Sequence, residues 1–249
     1  MLTTIHHKIN LGLHIVQKLS SGYHALETVF YPCTNFVDTL EIIPAAHFSF
    51  SIKNADFTCP IEENLCVKAY RLLQKKKNLP PVKITLTKQI PSGAGLGGGS
   101  ADAAYTLKML NTIFSLGLSI RQLHEFAAQL GSDTPFFIYN APMYATGRGD
   151  ILTPIELDLS KYKIEIVCPN FAVSTAKAYS IITSKKPKHT LKNIINAPIE
   201  TWREILNNDF EEVIFNLHPK LREIKKDFYK QGALYASMSG SGSAIYGIF

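Results

Sequence analysis

Five of the seven residues from Gly93 to Gly99 are glycine, within the run Pro91-Ser92-Gly93-Ala94-Gly95-Leu96-Gly97-Gly98-Gly99-Ser100. Val82, Ile84, Leu86 and Ile90 alternate in front of it as in a half-buried strand, and Ala101–Phe114 behind it reads as a helix. A flexible linker is not framed so tightly by regular structure. Glycines let the backbone take up positive φ and approach a ligand closely. Successive N–H groups then converge on an anion, and the helix that follows adds the positive end of its dipole. The run therefore reads as a phosphate cradle.

Three familiar phosphate loops can be compared with it. A Walker A loop needs Lys and Ser/Thr after its last glycine, and here Gly98 is followed by Gly99 and Ser100. The spacing Gly93-x-Gly95-x-x-Gly98 matches a dinucleotide fingerprint. That fold, however, wants an acidic residue about 20 positions on, where this chain has Ser119-Ile120-Arg121. A protein-kinase loop is accompanied by HRD and DFG segments, and neither occurs.

The rest of the chain alternates strand-like and helix-like patterns. Residues 9–16 read as a strand, followed by a turn at Ser20-Ser21-Gly22 and apolar stretches at 26–30, 38–43 and 48–52. Leu65, Ala69, Leu72 and Leu73 share one helical face, and Ser119 is a helix N-cap with Gly131 as the stop. Lys163–Cys168 reads as a strand, Thr201–Leu206 and Pro219–Tyr229 as helices, with two short strands around the turn Ser239–Ser243. The fold class is α+β in two halves that meet around residues 150–165.

With 249 residues, 46% of them hydrophobic, the chain can bury one large core or two joined ones. Its net charge of +6 suits an anionic ligand, but the basic residues are scattered. Lys75-Lys76-Lys77 ends a helical pattern, where cations complement the dipole, and marks no nucleic-acid surface. Cys33, Cys59, Cys66 and Cys168 have neither zinc nor redox spacing and read as reduced thiols. The N-terminus lacks the apolar core of a signal peptide, and no run of 18 apolar residues occurs, so a soluble, cytoplasmic protein without a membrane partner is expected.

Three segments together resemble the GHMP kinases: His7-Lys8-Ile9-Asn10-Leu11, the glycine run, and Ser237-Met238-Ser239-Gly240-Ser241-Gly242-Ser243. Their order matches and they span nearly the whole chain. Gly22-Tyr23-His24-x-Leu26-x-Thr28, Glu63-Asn64-Leu65 and Gly131-Ser132-Asp133-Thr134-Pro135-Phe136-Phe137 resemble one branch of that family. Its acceptor is 4-diphosphocytidyl-2-C-methyl-D-erythritol, phosphorylated by ATP on the 2-hydroxyl in non-mevalonate isoprenoid precursor synthesis. The resemblance implies a ribosomal-protein-S5-like ATP-binding half over residues 1–155 and a ferredoxin-like substrate half over 156–249. It implies a small-molecule cytidine-diphosphate substrate, no nucleic acid, and the cofactors ATP and Mg²⁺. Two alternatives remain open here: a family member acting on mevalonate, homoserine or a sugar, and a non-catalytic ligand-binding member.

By the same resemblance Asp133 is the general base and Lys8 the cation that keeps it charged and stabilises transferring charge. Pro91, Ser92, Gly93, Ala94, Gly95, Leu96, Gly97, Gly98, Gly99, Ser100 and Ala101 hold the phosphates, with Asn64 and Lys88 near the adenosine. Ser100 is also the candidate metal ligand, and plain N-capping accounts for it equally well. Asn64 also reads as the cap of the helix that begins at Leu65. Asn10, Tyr23, His24, Thr175 and Tyr179 contact the substrate, Tyr23 and Tyr179 stacking on the cytosine while His24 reads its polar edge. Asp102 reads as a surface residue that complements the helix dipole, and Ser239–Ser243 as a turn shaping the substrate side. Family members usually continue with a helix and a closing strand beyond Ala244–Phe249, so the expectation is either a truncated sequence or an open edge in the second half.

Overall fold

A computed structural model describes residues 1–55, 59–171, 173–184, 187 and 190–249. In chain order the elements are β1 (Leu2–Lys18), β2 (His24–Pro44), β3 (Ser49–Lys53), α1 (Leu65–Lys77), β4 (Val82–Thr87), α2 (Gly98–Ile113), α3 (Ile120–Ala128) and α4 (Phe136–Tyr139). There follow β5 (Met143–Thr146), β6 (Ile151–Pro154), β7 (Ile164–Val167), α5 (Thr175–Ile181), α6 (Leu191–Ile194), α7 (Trp202–Ile205) and α8 (Phe210–Leu217). The chain closes with α9 (Pro219–Lys230), β8 (Tyr235–Met238) and β9 (Ile245–Ile248). The α+β expectation holds.

The fold is compact in two units, each assembled from separate stretches of chain. The first comprises 1–7, 36–92 and 97–140, the second 8–35, 93–96 and 141–249. The glycine run thus contributes Pro91, Ser92 and Gly97 onward to the first unit and Gly93–Leu96 to the second.

In the first unit β4 pairs antiparallel with the end of β2, from Thr39↔Thr87 to Pro44↔Val82, and parallel with β3. The alternation read in the sequence is the burial pattern: Val82, Ile84 and Leu86 face the core. Helix α1 starts where Asn64 caps it and ends at lysines 75–77, which complement the dipole as expected. Helix α3 carries the full capping box, Ser119 with Gln122. Helix α2 begins at Gly98, three residues ahead of the expected Ala101, because Gly97 takes the left-handed conformation (φ +73°) and serves as N-cap.

In the second unit β2 pairs with β5 (Thr28↔Ala145 to Phe30↔Met143) and β5 with β6. A three-stranded antiparallel sheet has the order β7-β9-β8. Leu13, Ile15, Leu26, Phe210, Ile214, Leu221, Phe228, Met238 and Ile245 belong to one buried cluster there. Each large apolar side chain removed from water in this cluster contributes about 1.5–3 kcal/mol. Pro219 opens α9, where its missing N–H costs no helical bond.

Strand β1 is buried on both faces from His7 to Ile15. Among the residues it buries are Lys8, Asn10 and His14. A buried lysine, asparagine and histidine need partners for their polar atoms. Those partners define the site. Among the described residues no helix is long and apolar enough to cross a membrane.

Candidate active site

In the first unit the glycine run delivers the start of α2. Helix geometry leaves the N–H groups of its first turn without intrahelical acceptors, and among the described residues no side chain caps them. Gly98 and Gly99 keep that end bare. A Cβ on Gly98 would lie 2.9 Å from Ile90 Cγ2 and 3.3 Å from Lys88 Nζ. Ser100 is the third helical residue, so it does not N-cap α2; Gly97 holds that position. Its hydroxyl lies 3.9 Å from where a Cβ on Gly131 would stand, so the turn that carries Asp133 flanks it. In that turn Thr134 N–H donates to Gly131 O and Phe136 N–H to Asp133 O, both at 3.2 Å, and Asp133 is half-buried.

Asp102 does not lie on the surface. It is 2% exposed, and its Oδ2 accepts from Lys88 Nζ at 2.8 Å. Lys88 Nζ also donates to Asp38 Oδ2, and Asp38 Oδ1 takes the backbone N–H groups of Gln89 and Ile90 at 2.6 and 2.8 Å. Burial pushes the Asp102 carboxyl up to about 7, with Lys88 opposing the shift. For Lys88 burial acts downward, but the two carboxylates outweigh it and keep the ammonium charged. The reading of Asp102 failed because its partners are distant in sequence and only the fold assembles them. Asn64 accepts from Cys66 N–H at 2.9 Å, which is the capping role.

In the second unit the three motif segments meet. Lys8 Nζ donates to Asn10 Oδ1 at 2.5 Å and to the Gly95 carbonyl at 3.0 Å, with the Phe30 ring centroid at 5.1 Å. Ser239 Oγ donates to the same Gly95 carbonyl at 2.9 Å and accepts from Asn10 N–H at 3.2 Å. Gly95 (φ +77°) packs so closely on Ser239 that no larger residue fits. Ala244 N–H donates to Ala94 O, and Lys8 N–H to Leu96 O, both at 3.0 Å. The glycine-serine turn is held from behind by Asn208, whose Nδ2 donates to Met238 O and Gly240 O at 2.8 Å. Nothing local in the sequence marked Asn208, apart from its place in the polar run Asn207-Asn208-Asp209.

Tyr23 is 59% exposed, at the turn before β2. His24 stacks on Tyr179 (centroids 5.3 Å apart, 26° between planes), which in turn meets Phe210 edge-on at 4.9 Å. Burial, and then the charge of Lys18, lower the His24 pKa, so the imidazole is neutral near pH 7 and offers both a donor and an acceptor. Thr175 is exposed at the start of α5, its hydroxyl 2.9 Å from that of Ser241.

A sequence model of the GHMP kinases N terminal domain matches residues 64–141, and one of the GHMP kinases C terminal domain matches residues 190–249. A 4-diphosphocytidyl-2-C-methyl-D-erythritol kinase of Bacteroides thetaiotaomicron is 51% identical over 253 residues, covering 100% of this chain and 92% of its own. The chain belongs to the 4-diphosphocytidyl-2-C-methyl-D-erythritol kinase family. Another member, from Azobacteroides pseudotrichonymphae, is also 51% identical and covers 97% of this chain and 91% of its own. A crystal structure of 4-(cytidine 5'-diphospho)-2C-methyl-D-erythritol kinase superposes with a TM-score of 0.83 at 30% identity, over 100% of this chain and 90% of that one. Like other GHMP kinases, this family member is an ATP-dependent small-molecule kinase.

Proposed function

We propose that the protein transfers the γ-phosphoryl group of ATP to the 2-hydroxyl of 4-diphosphocytidyl-2-C-methyl-D-erythritol. The observation that carries the reading is the junction of Lys8, Gly95 and Ser239, because it welds three sequence-distant motif segments into one polar centre. Phosphoryl transfer asks the protein for positioning, charge neutralisation and a proton acceptor. The bare first turn of α2 takes the nucleotide phosphates, with Pro91–Ala101 as the cradle and Asn64 and Lys88 behind the nucleoside side. Asp133 accepts the proton of the attacking hydroxyl. Lys8, held in place by Asn10 Oδ1 and the Gly95 carbonyl, stabilises the charge that develops on the transferring group. Tyr23, His24 and Tyr179 supply an aromatic, uncharged surface suited to cytosine, while Asn10 and Thr175 lie on the same unit.

The donor set also fits Mg²⁺. Ser100 is half-buried in the first turn of α2 beside the Gly131 turn, and a hard cation that takes most of its ligands from phosphates and water needs few from protein. When bound, Mg²⁺ supplies neutralisation of the polyphosphate charge, with the Ser100 hydroxyl as its protein ligand. The place of work is the cytoplasm, where the nucleotide is plentiful.

The test is ADP release in a coupled assay, with the cytidyl compound, mevalonate, homoserine and galactose offered in turn. Turnover with the cytidyl compound alone, abolished in Asp133→Ala, is expected. Turnover with a different acceptor overturns the substrate assignment, and ATP binding without turnover on any acceptor overturns the enzymatic one.

A further inference from the structure

Resting on that reading of Lys8, we infer that Thr28 is a positioning residue for the reaction: it anchors the Asn10 amide and hence fixes where the lysine ammonium sits. Thr28 is 1% exposed, on the buried face of β2. Its hydroxyl makes two hydrogen bonds of opposite sense. Oγ1 donates to the carbonyl of Gly12 at 2.6 Å, which uses its single proton. The lone pairs that remain face Asn10 and accept from Nδ2 at 2.9 Å.

This polarity has a consequence for Asn10. A primary amide presents two donors on one side and an acceptor on the other, and the two orientations occupy nearly the same volume. Because Thr28 offers Asn10 only an acceptor, the NH₂ group turns to Thr28 and Oδ1 turns to Lys8 Nζ, 2.5 Å away. The reverse orientation would aim N–H donors at an ammonium that has no lone pair. Neighbouring contacts keep the frame rigid. Tyr246 Oη donates to the Asn10 carbonyl at 2.8 Å, Ser239 Oγ receives the Asn10 N–H, and a Cβ on Gly240 would stand 3.3 Å from Asn10 Oδ1. The relay runs Gly12 O, Thr28 Oγ1, Asn10 amide, Lys8 Nζ, with one direction of donation throughout. It ends on the ammonium that also holds the Gly95 carbonyl of the glycine run.

The Asn10 side chain is thus committed inside the protein on both sides: Lys8 holds its Oδ1 and Thr28 anchors its NH₂ group. Valine matches threonine in shape and keeps the β-branched strand residue, but it removes both the donor and the acceptor. With that anchor gone, the amide still turns Oδ1 to Lys8 but is free to shift, and the ammonium shifts with it.

The experiment compares steady-state kinetics of the wild type, Thr28→Val, Thr28→Ser and Lys8→Met, together with their thermal unfolding. Misplacing a charged group by a fraction of an ångström through its supporting residue costs on the order of 10–100-fold in rate. Thr28→Val should therefore lower kcat by about that factor and leave KM for ATP within about twofold, while Thr28→Ser restores kcat to near the wild-type value. Wild-type kcat in Thr28→Val, with Lys8→Met inactive, overturns the inference and leaves the kinase reading standing. Equal losses in the valine and serine variants, tracking a fall in unfolding temperature, reduce Thr28 to packing and also overturn it. Full activity in Lys8→Met removes the role of the lysine itself, and the inference falls with that reading.

Discussion

A Cβ atom on Gly95 would lie 2.0 Å from the carbonyl oxygen of Ser239, well inside van der Waals contact. The glycine run and the C-terminal turn therefore fit together only because residue 95 has no side chain and accepts φ +77°. Gly95→Ala must move one of the two backbones and strain the other. The expected cost is about 2–5 kcal/mol in chemical denaturation, the sum of left-handed strain and overpacking. Activity should fall further than stability does, since Lys8 loses the geometry of its carbonyl partner. Wild-type stability in this variant would show that the turn adapts freely.

The Lys88 cluster is a test of buried charge. Removing the ammonium in Lys88→Met leaves Asp38 and Asp102 facing each other without a cation. Truncating one partner of a buried network typically costs about 3–5 kcal/mol. Asp102→Asn keeps the volume and the Lys88–Asp38 pair, and burial already favours the neutral form of Asp102, so it should cost much less. Urea denaturation of the two variants decides the point. Equal losses would mean that Asp102 must be charged for the first unit to hold together.

Much of this architecture was legible in local sequence and some was not. Asn64 and Ser119 declared themselves as caps, and the alternation of Val82, Ile84 and Leu86 gave β4, because those signals act over one to four residues. The glycine run announced a tight turn between a strand and a helix for the same reason. Asp102 was misjudged because its burial depends on Asp38, 64 positions earlier. Helix α8 was missed because it spans only eight residues, about two turns, too short for its periodicity to stand out. Residues such as Asn208 and Thr28 act through backbone carbonyls that no periodicity reveals.

A second buried pair sets a pH window. The His14 ring bonds Glu27 Oε1 at 2.9 Å and Asn207 Oδ1 at 3.1 Å, while Tyr144 Oη donates to Glu27 Oε2 at 2.6 Å and Leu191 N–H to Oε1 at 3.2 Å. Burial works to lower the His14 pKa, but the bonds to Glu27 and Asn207 and the charges of Asp209 and Glu27 raise it above 6.5. For Glu27 burial works upward, yet His14, Tyr144 and Leu191 together lower it below 4.5. The histidine's contribution is complete below pH 6.5 and is lost as pH rises through its raised folded value. The glutamate's is complete above pH 4.5 and is lost as pH falls through its lowered one. Stability measured across pH should show a plateau between 4.5 and 6.5 that Glu27→Gln flattens on both sides. An unchanged pH profile in Glu27→Gln would contradict the coupling.

The aromatic surface should act on the acceptor alone. Loss of one base-stacking ring is worth about 1–3 kcal/mol, so Tyr179→Ala or Tyr23→Ala should raise KM for the cytidyl substrate roughly tenfold or more. KM for ATP should stay put in both variants. Initial-rate kinetics with each substrate varied in turn separates the two constants, and a matched rise in both would show that the rings support the fold rather than the base.

The most direct test of the central claim is the position of the new phosphate, read by proton-coupled ³¹P NMR of the product made from ATP and 4-diphosphocytidyl-2-C-methyl-D-erythritol. The C2 carbon carries the methyl group and no hydrogen, so a phosphate on the 2-hydroxyl has no proton three bonds away. A new monoester resonance without resolved proton splitting is the predicted result. A doublet or triplet would place the phosphate on a carbon that bears hydrogen and contradict the account.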